Sequence, residues 1–174
     1  MQFNTYTSAG AFIAAALVNE PSATALTDVL ARHAVHRPTA DDAAMTELRP
    51  WAGRLRVVFE TTGPEQAAAA GALLVDADCR PRLVAHDGLP HHLHPAPLDT
   101  DLVTRVKALT AAGLAQLISD GAADRLGHCS RTGCSVVFVD VSRNGRRTFC
   151  SVRCANTVNV RRHRARRRTG SSRG

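Results

Sequence analysis

Four cysteines near the end of the chain constrain its fold more than any other feature of the sequence. They form two pairs, Cys129-x4-Cys134 and Cys150-x3-Cys154, with fifteen residues between the pairs. Thiolates are preferred ligands of structural Zn(II), and two short pairs at this separation can close one tetrahedral site around an intervening hairpin. We therefore predict one structural zinc ion. Four thiolates leave no coordination position open, so the metal is expected to hold the fold without doing chemistry.

Two disulfides are the alternative use of these four cysteines. However, nothing marks the chain as secreted, and the residues before Cys129 contain only one further cysteine, Cys79. Disulfide frameworks are typical of small secreted chains, so this distribution favours zinc. The apolar run near the N-terminus has no basic segment before it and is too short to span a bilayer. We expect a cytoplasmic, nucleoid-associated protein.

The segment between the two pairs predicts a hairpin followed by a helix. Residues 136–141 are mostly β-branched or aromatic, and Asn144-Gly145 is a strong turn signal, so residues 146–149 are expected to return antiparallel to them. Cys150 and Cys154 are four residues apart, which places both sulfurs on one face of a helix starting near Cys150. The knuckle formed by Cys129-x4-Cys134, the hairpin and the helix, in this order, form a treble-clef arrangement.

These residues also resemble a known family, the CGNR zinc finger found at the C-terminus of bacterial proteins described as stress-induced transcription regulators. The departure from the family pattern follows the last cysteine, where Ala155-Asn156-Thr157 stands in place of Gly-Asn-Arg. The positions that carry the resemblance are Cys129, Cys134, Phe138, Asp140, Ser142, Arg143, Asn144, Arg147, Phe149, Cys150, Ser151 and Cys154. The resemblance implies DNA binding and an N-terminal regulatory domain of ABATE type, of whose opening motif Phe12 and Val18-Asn19 are partial echoes.

Charge divides the chain at about the same place. Residues 128–174 carry 12 Arg and one Asp, a net 12 − 1 = +11, whereas residues 1–127 carry 10 basic and 14 acidic groups, a net 10 − 14 = −4. A basic segment attached to a mildly acidic body is typical of a polyanion-binding appendage. We predict an α+β protein with a mainly helical regulatory domain at 1–124, a treble-clef-like finger with an Arg-rich helix at 125–168, and a disordered tail at 169–174.

The first domain shows mostly helical periodicity. We predict helices over about 9–19, 22–35, 39–59, 65–74 and 101–119, with Ser22 as one N-cap and Asp99 or Thr100 as another. Pro50 is expected to kink or break the third helix, whose apolar stripe comprises Met45, Leu48, Trp51, Leu55, Val58 and Phe59. Residues 83–85 and 93–94 predict two short strands joined through Asp87-Gly88.

A candidate ligand pocket comprises Trp51, His92 and His94. The two histidines alternate onto one face of a strand, where two imidazoles could share a metal if a third ligand arrived from elsewhere. The alternatives are a pH-sensing role, ordinary strand polarity, and, for Trp51, a place in the core. His86 and His91 lie in the same segment. An unknown small-molecule effector would fit such a pocket.

Three functions remain open at this point: a DNA-binding transcription regulator, an RNA- or ribosome-associated zinc protein, and a module whose basic tail docks on an acidic protein. The sequence contains no Walker loop, nucleophile elbow or dinucleotide fingerprint, so we expect no enzymatic activity. A homodimer would double the contacts of a small finger with DNA. The candidate nucleic-acid contacts are Arg143, Arg146, Arg147, Asn156, Arg161, Arg162, Arg164, Arg166 and Arg167.

Overall fold

The computed structural model describes residues 5–85, 91–97 and 99–170, apart from the side chains of residues 5–8, 165 and 167–170. The chain is a mixture of helices and two small hairpins. In order, the elements are α1 (Thr5–Asn19), α2 (Ala23–Arg32), α3 (Asp42–Glu60), α4 (Gly63–Asp76), β1 (Arg82–Val84), β2 (His92–His94), α5 (Leu102–Ser119), a 3-10 turn (Ala123–Arg125), β3 (Leu126–His128), β4 (Val137–Val139) and α6 (Val152–Gly170).

Helices α1 and α5 form the centre of the helical body, and α3 and α4 pack around them. The two central helices cross where each carries a glycine. A Cβ atom on Gly113 would lie 2.6 Å from the Cα of Gly10, and one on Gly10 would lie 2.1 Å from the carbonyl oxygen of Leu109. Neither position can hold a side chain without moving the backbone, so the glycines set the distance between the helices.

Helix α3 confirms the predicted apolar stripe, because all six of its members are buried. Of the predicted kink or break at Pro50, the break does not occur: α3 is one helix from Asp42 to Glu60 with Pro50 inside it. Proline removes one helical hydrogen bond and costs about 3 kcal/mol in a helix interior. Here Leu48 and Trp51 on either side of it are buried against the core, and burying two large apolar side chains is worth about as much as that cost.

Side-chain caps begin three helices of the helical body. Ser22 accepts a hydrogen bond from the Ala25 amide at 3.3 Å, which confirms the predicted cap of α2. Asp41 caps α3 through the Ala44 amide at 2.8 Å. The cap of α5 is Asp101, which accepts from the Thr104 amide at 2.9 Å, and not Asp99 or Thr100 as predicted. The α5 side chain Arg105 then donates to the carbonyls of His36 and Arg37, which ties the loop after α2 to α5.

The first hairpin confirms the sequence prediction. Strands β1 and β2 pair antiparallel, with Leu83 opposite Leu93. The predicted turn at Asp87-Gly88 and the neighbouring His86 lie outside the described residues.

The second hairpin differs from the prediction. Strand β4 pairs antiparallel with β3, which precedes the first cysteine, so that Leu126 lies opposite Val139 and His128 opposite Val137. Residues 146–149 form no strand. The Asn144-Gly145 turn is also not the expected hairpin turn, because only Gly145 has a positive φ, +61°. Hydrogen bonds from the Ser142 and Arg147 amides to the Asp140 carboxylate shape this segment as a loop.

Strand β4 connects the cysteine region to the helical body. Val137 and Val139, with Leu126 of β3, belong to the same buried cluster as α1 and α3. The Asn19 side chain at the end of α1 donates to the Val137 carbonyl and accepts from the Val137 amide, both at 2.9 Å. Arg56 of α3 donates to the Ser135 carbonyl at 2.7 Å. Helices α1 and α3 therefore hold β4 and the residues just before it.

Candidate metal centre and basic helix

The four predicted ligands come together at the C-terminal end of the fold. The sulfur atoms of Cys129, Cys134, Cys150 and Cys154 all lie within 4.8 Å of one another. The Cys150 sulfur is 3.5 Å from that of Cys154 and 3.8 Å from that of Cys134, and the Cys134 and Cys154 sulfurs are 4.0 Å apart. Four thiolates at 2.3 Å from a tetrahedral zinc would be about 3.8 Å apart.

This geometry fits one tetrahedral metal ion and contains no disulfide. All five cysteines are free, and the four in the cluster are too far apart for sulfur–sulfur bonds. Four soft sulfur donors favour Zn(II) over Mg(II) or Ca(II), which bind oxygen ligands. When bound, such a metal would supply a cross-link between the knuckle and the start of α6.

Ser151 fixes the junction between the second cysteine pair and the last helix. Its hydroxyl accepts from the Cys154 amide at 3.2 Å and its carbonyl accepts from Ala155, so the helix begins at Val152. The prediction of a helix starting near Cys150 is therefore two residues early. Only Cys154 is helical, whereas Cys150 lies just before the cap. Because the cap turns the chain, both sulfurs still face the same point.

The cysteines differ in acidity. The hydrogen bond with Ser151, followed by that from Arg131, overcomes the effect of burial and lowers the pKa of the Cys154 thiol to about 6. Burial and the hydrogen bond that Cys150 donates to Cys154 raise the pKa of Cys150 to about 12. The cluster thus holds protons that a divalent metal would displace, because thiolates and not thiols are the metal ligands.

Arg131 contacts the cysteine cluster and is not among the residues predicted from the sequence. Its Nε donates to the Cys154 sulfur at 3.1 Å, and this bond, with one to Cys134, raises the pKa of the guanidinium. A divalent ion with four thiolates carries a net charge of −2, so a cation at the sulfurs offsets part of that charge. The sequence did contain a signal for this contact, because Arg131 lies between Cys129 and Cys134 and is therefore close to both sulfurs.

Asp140 organises the loop between the hairpin and the second cysteine pair. Its carboxylate is 1% exposed and accepts from the Ser142 and Arg147 amides, both at 2.8 Å. Burial opposes ionisation, but these hydrogen bonds outweigh it and hold the pKa of Asp140 below its usual range. The Arg125 guanidinium donates to the Asp140 and Ser142 carbonyls and packs against Gly145, where a Cβ would lie 2.9 Å from Arg125 Cζ.

The candidate nucleic-acid residues of this loop have different environments. Arg147 donates to the Phe149 and Cys150 carbonyls, and its guanidinium lies 4.6 Å from the Phe138 ring centroid. It therefore contributes to the structure of the finger. Arg143 and Arg146 are exposed on the loop.

Helix α6 carries the remaining candidates and extends away from the metal centre. Its 19 residues include seven arginines and no acidic residue, and they span about 28 Å. Within the described part of the chain, α6 packs extensively against no other helix or strand. It is attached to the finger at its first turn, where Cys154 is buried. The exposed candidates are Asn156, Arg161, Arg162, Arg164 and Arg166, whereas the Arg167 side chain lies outside the described residues.

The three residues of the predicted ligand pocket lie in two kinds of environment. Trp51 is a core residue, 4% exposed, whose Nε1 donates to Thr110 Oγ1 at 3.0 Å. His92 and His94 lie on one face of β2 as predicted, with their Nε2 atoms 2.8 Å apart. A depression in the helical body lies instead between the N-terminal ends of α3 and α5, where Asp41, Asp101 and Lys107 contribute to its walls.

Comparison with known proteins supports the finger. The family model of the CGNR zinc finger matches residues 125–167. That range contains β3, both cysteine pairs, β4 and most of α6, and it leaves the helical body unmatched. No curated protein matches the chain. Within the described residues, no helix has the length and apolar character needed to cross a membrane.

Proposed function

We propose that this protein is a DNA-binding transcription regulator whose zinc finger presents α6 to duplex DNA, and whose N-terminal domain is a regulatory domain of ABATE type. The observation that carries the proposal is α6 itself, a helix with seven arginines and no acid that starts at the metal centre. When arginines of such a helix neutralise DNA phosphates, counterions condensed on the DNA are released, and this release favours binding. The match to the CGNR finger supports DNA as the polyanion.

In this proposal Zn(II) is the metal, and its role is structural. It would fix the start of α6 relative to β4, and β4 is fixed to the helical body by Asn19. An effector that binds the helical body could then change the orientation of α6. The chain carries no catalytic activity in this scheme, and it works in the cytoplasm at the nucleoid.

Binding of the zinc-loaded chain to a duplex of random sequence tests the proposal. If about five or six arginines contact phosphates, log K should fall with log salt with a slope of about −5. The triple variant Arg161→Ala, Arg162→Ala, Arg164→Ala should reduce both the affinity and the slope, since each lost phosphate contact removes about one unit. A matched variant, Arg49→Ala, Arg80→Ala, Arg82→Ala, removes the same charge from the helical body and should leave binding nearly unchanged.

Structured RNA and an acidic peptide, measured at the same salt concentration, separate the alternatives. Tighter binding of the RNA than of the duplex would contradict the proposal and favour an RNA- or ribosome-associated protein. Binding of the peptide alone would favour a module for an acidic protein partner.

A further inference from the structure

One face of α6 differs in chemistry from the rest of the helix. Six side chains line a single open depression along it, at helical spacings of three and four residues: Arg153, Asn156, Thr157, Val160, Arg161 and Arg164. At about 100° per residue, these positions form one stripe along the axis. Arg162 lies about 180° from Arg153, on the reverse side. We refer to the six residues as the α6 stripe.

The α6 stripe presents more than positive charge. Asn156 offers an amide with both donor and acceptor, and Val160 is 49% exposed, an unusual position for an apolar side chain between arginines. The Thr157 hydroxyl donates to the Arg153 carbonyl at 2.8 Å, so its hydrogen is used within the helix. Phosphate binding alone would need none of these three features.

Base edges in the major groove are the surface that this combination fits. Arginine can bind guanine through two hydrogen bonds, asparagine can bind adenine in the same way, and methyl or isopropyl groups pack against the thymine methyl. The groove is about 12 Å wide and admits an α-helix. Arg162, on the reverse side of the helix, would then point away from the base edges.

The metal centre determines which part of the stripe is positioned most accurately. Arg153 and Asn156 flank Cys154, whose burial and sulfur contacts hold the first turn of α6. Arg161 and Arg164 lie two to three turns further along, beyond the contacts of the finger. Sequence recognition requires fixed side chains, whereas phosphate contact tolerates mobile ones.

We infer that the N-terminal part of the α6 stripe, from Arg153 to Val160, is the base-reading face of the finger, with Arg153 and Asn156 as its specificity-determining residues. Arg153 was not among the candidates from the sequence. The inference rests on the proposed function, because it assumes duplex DNA as the partner, and it adds which side of α6 enters the groove.

Selection from a random duplex pool at about 150 mM salt tests the inference with single variants that preserve charge. Arg153→Lys keeps the positive charge but loses the planar two-donor geometry. Arg153→Lys and Asn156→Ala, each made alone, should change the selected motif. Each should reduce the discrimination between bases about tenfold at one or two positions of the motif. The matched control is Arg162→Lys, the same replacement on the reverse side, which should select the wild-type motif. Zinc content and the salt slope on random duplex should stay unchanged in all three.

The results separate this inference from the proposed function. A motif that survives both Arg153→Lys and Asn156→Ala, or that is lost in Arg162→Lys, would overturn the assignment of the face. If the wild-type chain binds duplex DNA but selects no motif, the face assignment fails and the DNA-binding proposal stands. If the wild-type chain does not bind duplex DNA at low salt, both fail.

Discussion

The helical body and the finger are stabilised by different kinds of interaction. In the body, α1 and α5 approach until glycine backbones touch, and the surrounding core is built from apolar side chains of five helices. In the finger, no described residue after Val139 belongs to that core. Its loop is held by a buried carboxylate, an arginine that donates to carbonyls, and four cysteines around one point.

The two regions are therefore sensitive to different kinds of substitution. Apolar packing is shared among many contacts, so one substitution weakens the body in proportion to the volume or the clash it introduces. A metal-held segment has few other contacts to replace the ion, and its folding depends on the ligand set as a whole. The finger is therefore expected to lose its structure when one ligand is lost, while the helices keep theirs.

The largest effect is expected from Cys150→Ser. A hydroxyl is a poor zinc ligand, and the binding energy of structural zinc in finger peptides is of the order of 10 kcal/mol. The variant should contain no zinc after purification at neutral pH, and amides after Val139 should exchange rapidly, while amides of α1, α3 and α5 remain protected. The metal content and amide exchange can be measured on the same samples.

Cys79→Ser provides the matched control, because Cys79 lies outside the cluster, with its sulfur 3.8 Å from the Ala108 carbonyl oxygen. It should keep one zinc per chain. A Cys150→Ser chain that keeps zinc, or whose finger amides stay protected without it, would contradict the role assigned to the metal.

Gly113→Ala should have the next largest effect, and it should destabilise the helical body. The new methyl group would lie 2.6 Å from the Gly10 Cα and 2.7 Å from the Ala11 amide nitrogen, so two packed helices must separate. Overpacking of this kind costs about 3 kcal/mol in the free energy of unfolding. Denaturant titration followed by circular dichroism would measure it.

Gly71→Ala makes the same replacement in α4, where nothing lies within 4 Å of the new methyl group. Alanine favours a helix over glycine by about 1 kcal/mol, so this control should be stabilised. Equal effects of the two substitutions would show that the contact between Gly10 and Gly113 does not set the helix spacing.

These elements also show what the sequence could predict. The stripe of α3 and the cysteine pairs were visible because each depends on residues close together in the chain, and the burial of the stripe and the clustering of the four cysteines are confirmed. The pairing of β4 was predicted wrongly, because the prediction relied on the local turn signal of Asn144-Gly145. The actual partner is β3, and this pairing depends on the packing of Leu126 in the core of the helical body. The contact of Gly10 with Gly113 has no local signal at all, because it exists only once two distant helices pack.

Asn19 joins the two regions, and Asn19→Ala should have the smallest of these effects. The substitution removes two hydrogen bonds to the Val137 backbone and leaves a part-buried amide and carbonyl without them, at a cost of about 2 kcal/mol. The loss should concentrate in the finger: chelators should remove zinc faster, and the Val137 and Val139 amides should exchange sooner than those of α5. Asn159→Ala, at an exposed position of α6, is the matched control and should leave both rates unchanged. If zinc release is equally fast in the two variants, the body does not support the metal centre through α1. If it is faster only in Asn19→Ala, the end of α1 is the route by which a change in the body reaches the finger.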